Sequence, residues 1–487
     1  MTTADQDFRN NKFVVVANRL PVDLTTAPDG TITALPSPGG LVTALAPVLE
    51  SHQGCWVGWP GMVDQDFEPF RTEKNVLLYP VSLSQCEYEE FYEGFSNATL
   101  WPLYHNLIVT PVYKREWWAR YREVNLRFAE AVAEVAAQNA LVWVQDYQLQ
   151  LVPGILRQLR PDLTIGFFNH IPFPNPDLFR QLPWREEIIR GLLGADLLGF
   201  HLKSDADHFL ELASRVNFQG SQIGQPDSLK VVGTSSIREV TAWVEVPGDR
   251  KVGVAAFPIS IDTNSVVQPS EASIAKLRAE LGDPSFLLLG VDRMDYTKGI
   301  LHRLRAFEEL LRDDALPENT VLLQFATPSR ERIDHYQHTR AAVEQAVGRI
   351  NGSYGRPGHP VVEYYHRSLL KEELAAYYAA ADVMLVTPLK DGMNLVAKEY
   401  IAYHPAGHGA LVLSEFAGAA YELEQAYICN PFDLESLKRQ MRQAVLDLKF
   451  HPEASQARIN AMYNQVQNHN VDLWASSFVT ALGVEDF

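Results

Sequence analysis

The sequence predicts an α/β fold made of two doubly wound parallel-sheet domains facing a central cleft. Short apolar runs alternate with helical patterns along most of the chain: Phe13–Ala17, Leu141–Val144, Thr164–Phe168 and Asp196–Phe200, then Phe286–Val291, Val321–Phe325, Asp382–Thr387 and Ala410–Leu413. Strands that are apolar on both faces belong in parallel sheets covered by helices. At 487 residues the chain exceeds what one hydrophobic core usually supports, so two domains are expected. Residues 255–269, AAFPISIDTNSVVQP, combine prolines with small polar residues before a helical pattern starting near Glu271, and they mark the hinge. The expected domains are therefore 1–258 and 259–455, followed by a helical segment at 456–487.

Composition narrows the function. The chain is 46% hydrophobic and 21% charged, with no apolar segment long enough to span a bilayer. Its start, MTTADQDFRNNK, lacks the basic-then-apolar pattern of a signal peptide, so a cytoplasmic location is expected. Cys55, Cys86 and Cys429 are odd in number and widely spaced, which suits reduced structural thiols better than disulfides or a zinc site. A net charge of −18 opposes nonspecific nucleic-acid binding, so an anionic ligand needs a locally basic pocket. The expected partners are small-molecule substrates, with no nucleic acid and no membrane, and the chain is expected to form a homo-oligomer, a dimer or tetramer.

Taken in order, the strand ends carry the chemistry. The first strand ends at Arg19, and Ser37-Pro38-Gly39-Gly40-Leu41 then opens an apolar helix; Gly40 allows a ligand to approach the backbone, although such loops also merely turn the chain. Trp59 in Gly58-Trp59-Pro60-Gly61, Tyr92 in an aromatic segment and Trp101 could form a sugar-binding wall or simply core. Asp146 ends another strand, where it could orient sugar hydroxyls or cap the following helix. His170 lies in a proline-stiffened loop and could donate to a substrate oxygen or be structural.

In the second domain, Arg293 and Lys298 follow an apolar strand, five residues apart. A planar fork and a compact charge suit a diphosphate, unless Asp292 and Asp295 simply pair with them. Arg330, in Thr327-Pro328-Ser329-Arg330, joins the same strand edge. Asp391-Gly392-Met393-Asn394-Leu395 then runs from a strand through a glycine turn into a helix, and its N–H groups suit an anion. Asp391 and Glu399 could accept hydrogen bonds from sugar or ribose hydroxyls, so a nucleotide-sugar fits the segment; an ordinary βα turn with an acidic helix start also accounts for it.

Together, ANRLP (17–21) with GGL (39–41), WVGWPG (56–61), EGFSNATLWP (93–102), VWVQDY (142–147), FFNHIPFP (167–174), GVDRMDYTKG (290–299), TPSR (327–330), GRINGSYG (348–355) and DGMNLVAKEY (391–400) resemble the trehalose-6-phosphate synthases, glycosyltransferase family 20. The resemblance covers nearly the whole chain. It implies a retaining GT-B glycosyltransferase, with the acceptor mostly on the first domain, the nucleotide-sugar donor mostly on the second, and a C-terminal helix crossing back to the first. It also implies roles. Arg293 and Lys298 would hold the donor diphosphate; Asp391, Gly392, Met393, Asn394, Leu395 and Glu399 would hold donor sugar, phosphate and ribose, with Gly40 near the donor phosphates. His170 would touch the donor glucose. Arg19 and Arg330 would hold the acceptor phosphate, and Trp59, Tyr92, Trp101 and Asp146 would line the glucose 6-phosphate pocket.

The implied reaction makes α,α-trehalose 6-phosphate from UDP-glucose, or another nucleoside-diphosphate glucose, and glucose 6-phosphate. The resemblance also implies front-face transfer with Arg293, Lys298, His170 and Asp391 at the reacting centre, and no close carboxylate pair of the kind retaining glycosidases use is evident. No metal or cofactor is expected. Rival readings are a glucosylglycerol-phosphate synthase, a related pseudo-glycosyltransferase, or a catalytically silent sugar-phosphate sensor. A fused phosphatase is not expected, and the product implies an osmoprotective, stress-related role.

Overall fold

The computed structural model describes residues 8–26, 32–36, 42, 45, 49–50, 54–216, 231–232 and 240–483. Two compact units are present: Met1–Ile259 with Asp472–Phe487, and Ser260–Val471. Each is a doubly wound sheet, and the fold is of the GT-B class.

In the first unit the strands are β1 (Asn11–Arg19), β2 (Val22–Thr26), β3 (Ile32–Pro36), β4 (Cys55–Trp59), β5 (Phe70–Arg71), β6 (Leu77–Pro80), β7 (Ala136–Gln145), β8 (Thr164–Phe168), β9 (Leu197–Phe200), β10 (Val231–Val232), β11 (Val240–Val246) and β12 (Arg250–Ala256). Ten of them form one sheet in the order β10-β11-β12-β9-β8-β7-β1-β4-β6-β5, with β2 and β3 paired separately as a hairpin. The pairings from β12 through β6 are parallel, while β10, β11 and β5 add antiparallel edges. Valines 14, 15 and 16 are fully buried, as a central strand covered on both faces requires. From β1 the chain lays strands on one side, then crosses to lay β7 on the other. The switch point therefore lies between the C-terminal ends of β1 and β7.

The second unit repeats this plan more simply. Its strands are β13 (Phe286–Arg293), β14 (Thr320–Thr327), β15 (Val362–Tyr365), β16 (Val383–Val386), β17 (Ala410–Ser414) and β18 (Tyr427–Cys429). They form a wholly parallel sheet in the order β15-β14-β13-β16-β17-β18, so the switch point lies between β13 and β16. Leu287, Leu288 and Leu289 are buried at its centre.

A buried polar network locks that centre. Arg303, on the helix Ile300–Arg312, is fully buried and donates to Asp292 on β13 (2.6 Å), Gln324 on β14 (2.7 Å) and Thr387 just past β16 (3.1 Å). Gly290 makes the room, because a Cβ there would strike both Arg303 and Gln324.

The expected return segment, 456–487, is divided in the structure. The helix Pro452–Asn468 stays in the second unit, where Ile459, Met462 and Val466 are buried and Gln456 and Arg458 donate to the carbonyls of Ala406 and Gln425. Only the helix Val471–Ala481 covers the first sheet. Its Trp474 and Phe478 stack on Trp143 of β7 at 5.0 and 4.5 Å between ring centroids. Gly166 and Gly199 leave space for Phe478, since a Cβ at either would lie 2.6 or 2.7 Å from its ring.

Among the described residues no helix is long and apolar enough to cross a membrane, and no group of three or more His, Cys, Asp or Glu is placed to hold a metal ion. Cys55 and Cys429 are buried, Cys86 is exposed, and none is in a disulfide.

His404, buried behind the helix Leu395–Ala402, donates from Nε2 to the Tyr378 carbonyl (3.0 Å). Burial pushes its imidazole down from 6.5 to about 4. Below 6.5 the unfolded chain takes up a proton that the folded chain refuses, so His404 costs stability as pH falls towards 4, by up to ~3 kcal/mol. His404→Gln keeps a donor for the carbonyl and should show a smaller drop in urea midpoint between pH 7 and pH 4.5 than the wild type.

Candidate active site

The second unit brings its expected residues to the switch point. β13 ends at Arg293, whose side chain is exposed. The chain then makes a 3₁₀ turn, Tyr296–Lys298, capped by the Asp295 carboxylate on the Thr297 N–H (2.9 Å). Gly299 follows at φ +67°, with the Thr387 carbonyl where a Cβ would be, so the turn demands glycine. This turn aims Lys298 at the loop after β16: its Nζ lies 2.6 Å from Asp391 Oδ2, and both side chains are nearly buried. Asn394 donates to the same oxygen at 3.0 Å.

Asn394 adopts the left-handed conformation (φ +75°) and starts the helix Leu395–Ala402 without a side-chain cap. Its first-turn N–H groups are thus left to a ligand or solvent rather than to a capping side chain. The loop itself is clamped from behind. The carbonyls of Asp391 and Met393 accept from Gly418 (3.3 Å) and Ala419 (2.8 Å), and the Asp391 N–H donates to Phe416 (3.1 Å). Gly392 and Met393 are buried by this packing. One turn along, Glu399 accepts from the Tyr378 hydroxyl at 2.8 Å. Burial pushes the Glu399 carboxyl up from its usual range, partly offset by Tyr378 and Lys371.

Asp295 organises the cations. It is buried, and burial alone would raise its pKa, but the charges of Arg330, Arg293 and Lys298 outweigh that and hold it below the usual carboxylate range. Arg330, at φ +50°, donates to Asp295 Oδ2 (3.3 Å) and to the Tyr336 hydroxyl (2.5 Å). Asp292 pairs with Arg303 instead. The acids beside Arg293 and Lys298 are therefore structural members of the site, and Asp391 is the carboxylate that takes Lys298.

The first unit gathers its residues in two groups at its own switch point. Arg19, at the end of β1, lies 5.0 Å over the ring of Trp59, which also sits 6.4 Å from Tyr92. Tyr92 stacks on Tyr88 at 5.3 Å. Gly61, at φ +92°, lets the Arg19 guanidinium pass where a side chain would block it. Tyr92 and Trp101 lie on or just after an unusually wide π-helix, Tyr88–Leu100, which ends with the Trp101 N–H donating five residues back to Ser96. Such insertions are frequent where a helix presents residues to a ligand.

The second group surrounds Asp146. At φ +72°, its Oδ1 accepts from Tyr147 N (2.9 Å) and His170 N (3.1 Å), so it does cap the following turn and also ties two loops together. Trp101 stacks on His105 (4.1 Å) and lies 5.7 Å from Tyr147. His170 bonds through Nε2 to Gln145 Oε1 at 2.8 Å. Burial, then repulsion from His201, keeps its imidazole pKa well below the usual range, so the ring is neutral at neutral pH. Gly40 lies outside the described residues.

Sequence reasoning missed Tyr378, Tyr336 and Gln145, which bond to Glu399, Arg330 and His170. It weighed Asp295 only as a competitor for the cations. Its position inside the strand-end motif was the available signal.

Asp295→Ala removes the shared carboxylate from among three cations. It should destabilise the protein by ~3–5 kcal/mol, the cost of breaking a buried pair, in urea unfolding at neutral pH. A wild-type midpoint would show that Asp295 does not hold the cluster.

The chain is 55% identical over 485 residues to the trehalose-6-phosphate synthase of Mycobacterium avium (strain 104), covering 98% of this chain and 96% of that one. A solved structure of an α,α-trehalose-phosphate synthase (UDP-forming) from Burkholderia xenovorans in complex with glucose-6-phosphate matches with TM-score 0.85 at 31% identity, over 97% of this chain and 100% of that chain. A second solved structure, from E. coli and bound with UDP-2-fluoro glucose, matches with TM-score 0.83 at 32% identity, over 96% and 98% of the two chains. With the family profile also matching residues 11–483, the chain belongs to glycosyltransferase family 20.

Proposed function

We infer that the chain transfers glucose from a nucleoside-diphosphate glucose to glucose 6-phosphate with retention, forming α,α-trehalose 6-phosphate and releasing the nucleoside diphosphate. One observation carries this reading: β13 and β16 deliver Lys298, Asp391 and an uncapped helix start to a single point. A diphosphate there meets a lysine already held in place and a row of backbone donors. Arg293 and Lys298 stabilise charge on the departing diphosphate, where preorganised donors act most strongly. Asp391 and Glu399 accept from sugar and ribose hydroxyls. In the first unit, Arg19 beside Trp59 and Tyr92 suits a phosphorylated sugar, because a guanidinium binds phosphate while rings cover the sugar face. Arg330 contributes a further cation for the acceptor phosphate, Trp101 and Asp146 complete the acceptor residues, and neutral His170, whose Nε2–H is given to Gln145, accepts from a donor-glucose hydroxyl at Nδ1.

The step proposed is front-face transfer. The acceptor hydroxyl bonds to the leaving phosphate, gives up its proton there and takes the anomeric carbon on the face from which the diphosphate departs. No carboxylate nucleophile and no metal is invoked. UDP-glucose is the proposed donor, the cytoplasm the proposed location, a homo-oligomer the proposed assembly, and osmoprotection the role proposed from the product.

Product analysis by NMR tests the reading. Purified protein incubated with glucose 6-phosphate, EDTA and either UDP-, GDP- or ADP-glucose should yield a phosphorylated α,α-1,1 disaccharide, most with UDP-glucose. No disaccharide with any donor would overturn it.

Among variants, Arg293→Ala should lower kcat by about 10²–10³-fold, the cost typical of losing one preorganised transition-state donor. Arg330→Ala should instead raise KM for glucose 6-phosphate with a smaller change in kcat. Steady-state rates with each substrate varied in turn would separate the two roles, and wild-type values in either variant would remove that assignment.

A further inference from the structure

Tyr378 is a buried residue of the helix Lys371–Ala380 that no part of the reaction described above uses directly. Its backbone and its ring are each held by one neighbour. The His404 ring donates to its carbonyl at 3.0 Å, and Tyr403 stacks on it at 5.6 Å between centroids. The hydroxyl so placed reaches one atom of consequence, Glu399 Oε2, at 2.8 Å. A carboxylate has two oxygens and about four acceptor sites, so a donor locked onto one oxygen fixes the plane and direction of the other.

We propose that Tyr378 is a positioning residue for the nucleotide-sugar: by holding Glu399 Oε2, it orients the carboxylate that accepts from the ribose hydroxyls. The inference rests on the reading of Glu399 as a ribose acceptor. Glu399 sits in the second turn of the helix Leu395–Ala402, whose start faces the donor phosphates, and one turn of helix is a suitable offset between phosphate and ribose. A rotating carboxylate at that position would lose the entropy of ordering on each binding event, whereas a clamped one is already arranged.

The arrangement also has a protonation consequence. Burial raises the Glu399 pKa, while the Tyr378 hydrogen bond and the Lys371 charge lower it. Tyr403 also faces the carboxylate, and burial, then the Glu399 and Glu372 charges, raise that phenol. Removing the Tyr378 hydroxyl therefore lifts the Glu399 pKa further. The protonated carboxyl is a poorer acceptor, so the acid limb of donor affinity should move to higher pH.

The test combines Tyr378→Phe, Glu399→Gln and a donor with 2′-deoxyribose. In the wild type the deoxy donor should bind more weakly than the ribose donor. Tyr378→Phe should raise KM for the ribose donor by on the order of tenfold, the scale of one charge-assisted hydrogen bond, with KM for glucose 6-phosphate unchanged. Its penalty should shrink with the deoxy donor, because hydroxyl and ribose act through one carboxylate. The acid limb of 1/KM for the donor should shift upward in pH. A merely structural loss would move kcat and both KM values together and leave the limb in place. If Glu399→Gln raises donor KM and Tyr378→Phe does not, the positioning role is overturned alone; if Glu399→Gln also leaves donor KM unchanged, the ribose assignment of Glu399 fails as well.

Discussion

The guanidinium of Arg303 is the contact on which the second unit depends. It bonds to β13, β14 and the end of β16 at once, and those are the strands whose C-terminal ends must stay aligned for the loops after them to meet. A buried cation tolerates little displacement, because every lost bond leaves charge without compensation in a low-dielectric interior. Main-chain hydrogen bonds alone set strand spacing. The arginine adds a constraint at the edge where Lys298 and Asp391 come within 2.6 Å. The proposed binding geometry is thus an outcome of core architecture, and no loop adaptation is needed to explain it.

Charge distribution follows the same logic. A chain with net charge −18 would repel anions if its charges were spread evenly. Around Asp295, however, Arg293, Arg330 and Lys298 face two carboxylates, Asp295 and Asp391, because Asp292 is consumed by Arg303. The local balance is therefore positive where the global one is negative. The buried acids of this region preset arginines and lysines, holding long side chains that would otherwise lose rotamer freedom on binding.

Much of this was legible in the sequence, and the reasons for the rest are physical. Thr164–Phe168 and Phe286–Val291 read as strands because a parallel strand buried on both faces is apolar without interruption. Val362–Tyr365, with Glu363 inside it, is an edge strand whose polar side chain hides the pattern. The strand-end motifs could be found because glycine and charge at such junctions have few other uses. Tyr378 and Gln145 could not, since a lone tyrosine or glutamine in an apolar run carries no sign of which distant group its polar atom will meet. Helix Pro452–Asn468 was assigned to the return crossing because amphipathic pattern shows that a helix packs without showing on which surface. The Asp146 capping role and its loop-tying role coexist, an outcome that residue type alone does not distinguish.

The helix Val471–Ala481 fills the space left over Gly166 and Gly199 in the first sheet, although the whole second unit separates it from them in the chain. On the ribosome, β7 and β8 are therefore made some three hundred residues before the rings that cover them. Until those rings arrive, Trp143 and Phe168 present bare aromatic surface. The first-made unit therefore cannot complete its core before the last-made helix is available, whereas every residue of the second unit precedes that helix's aromatic rings in the chain.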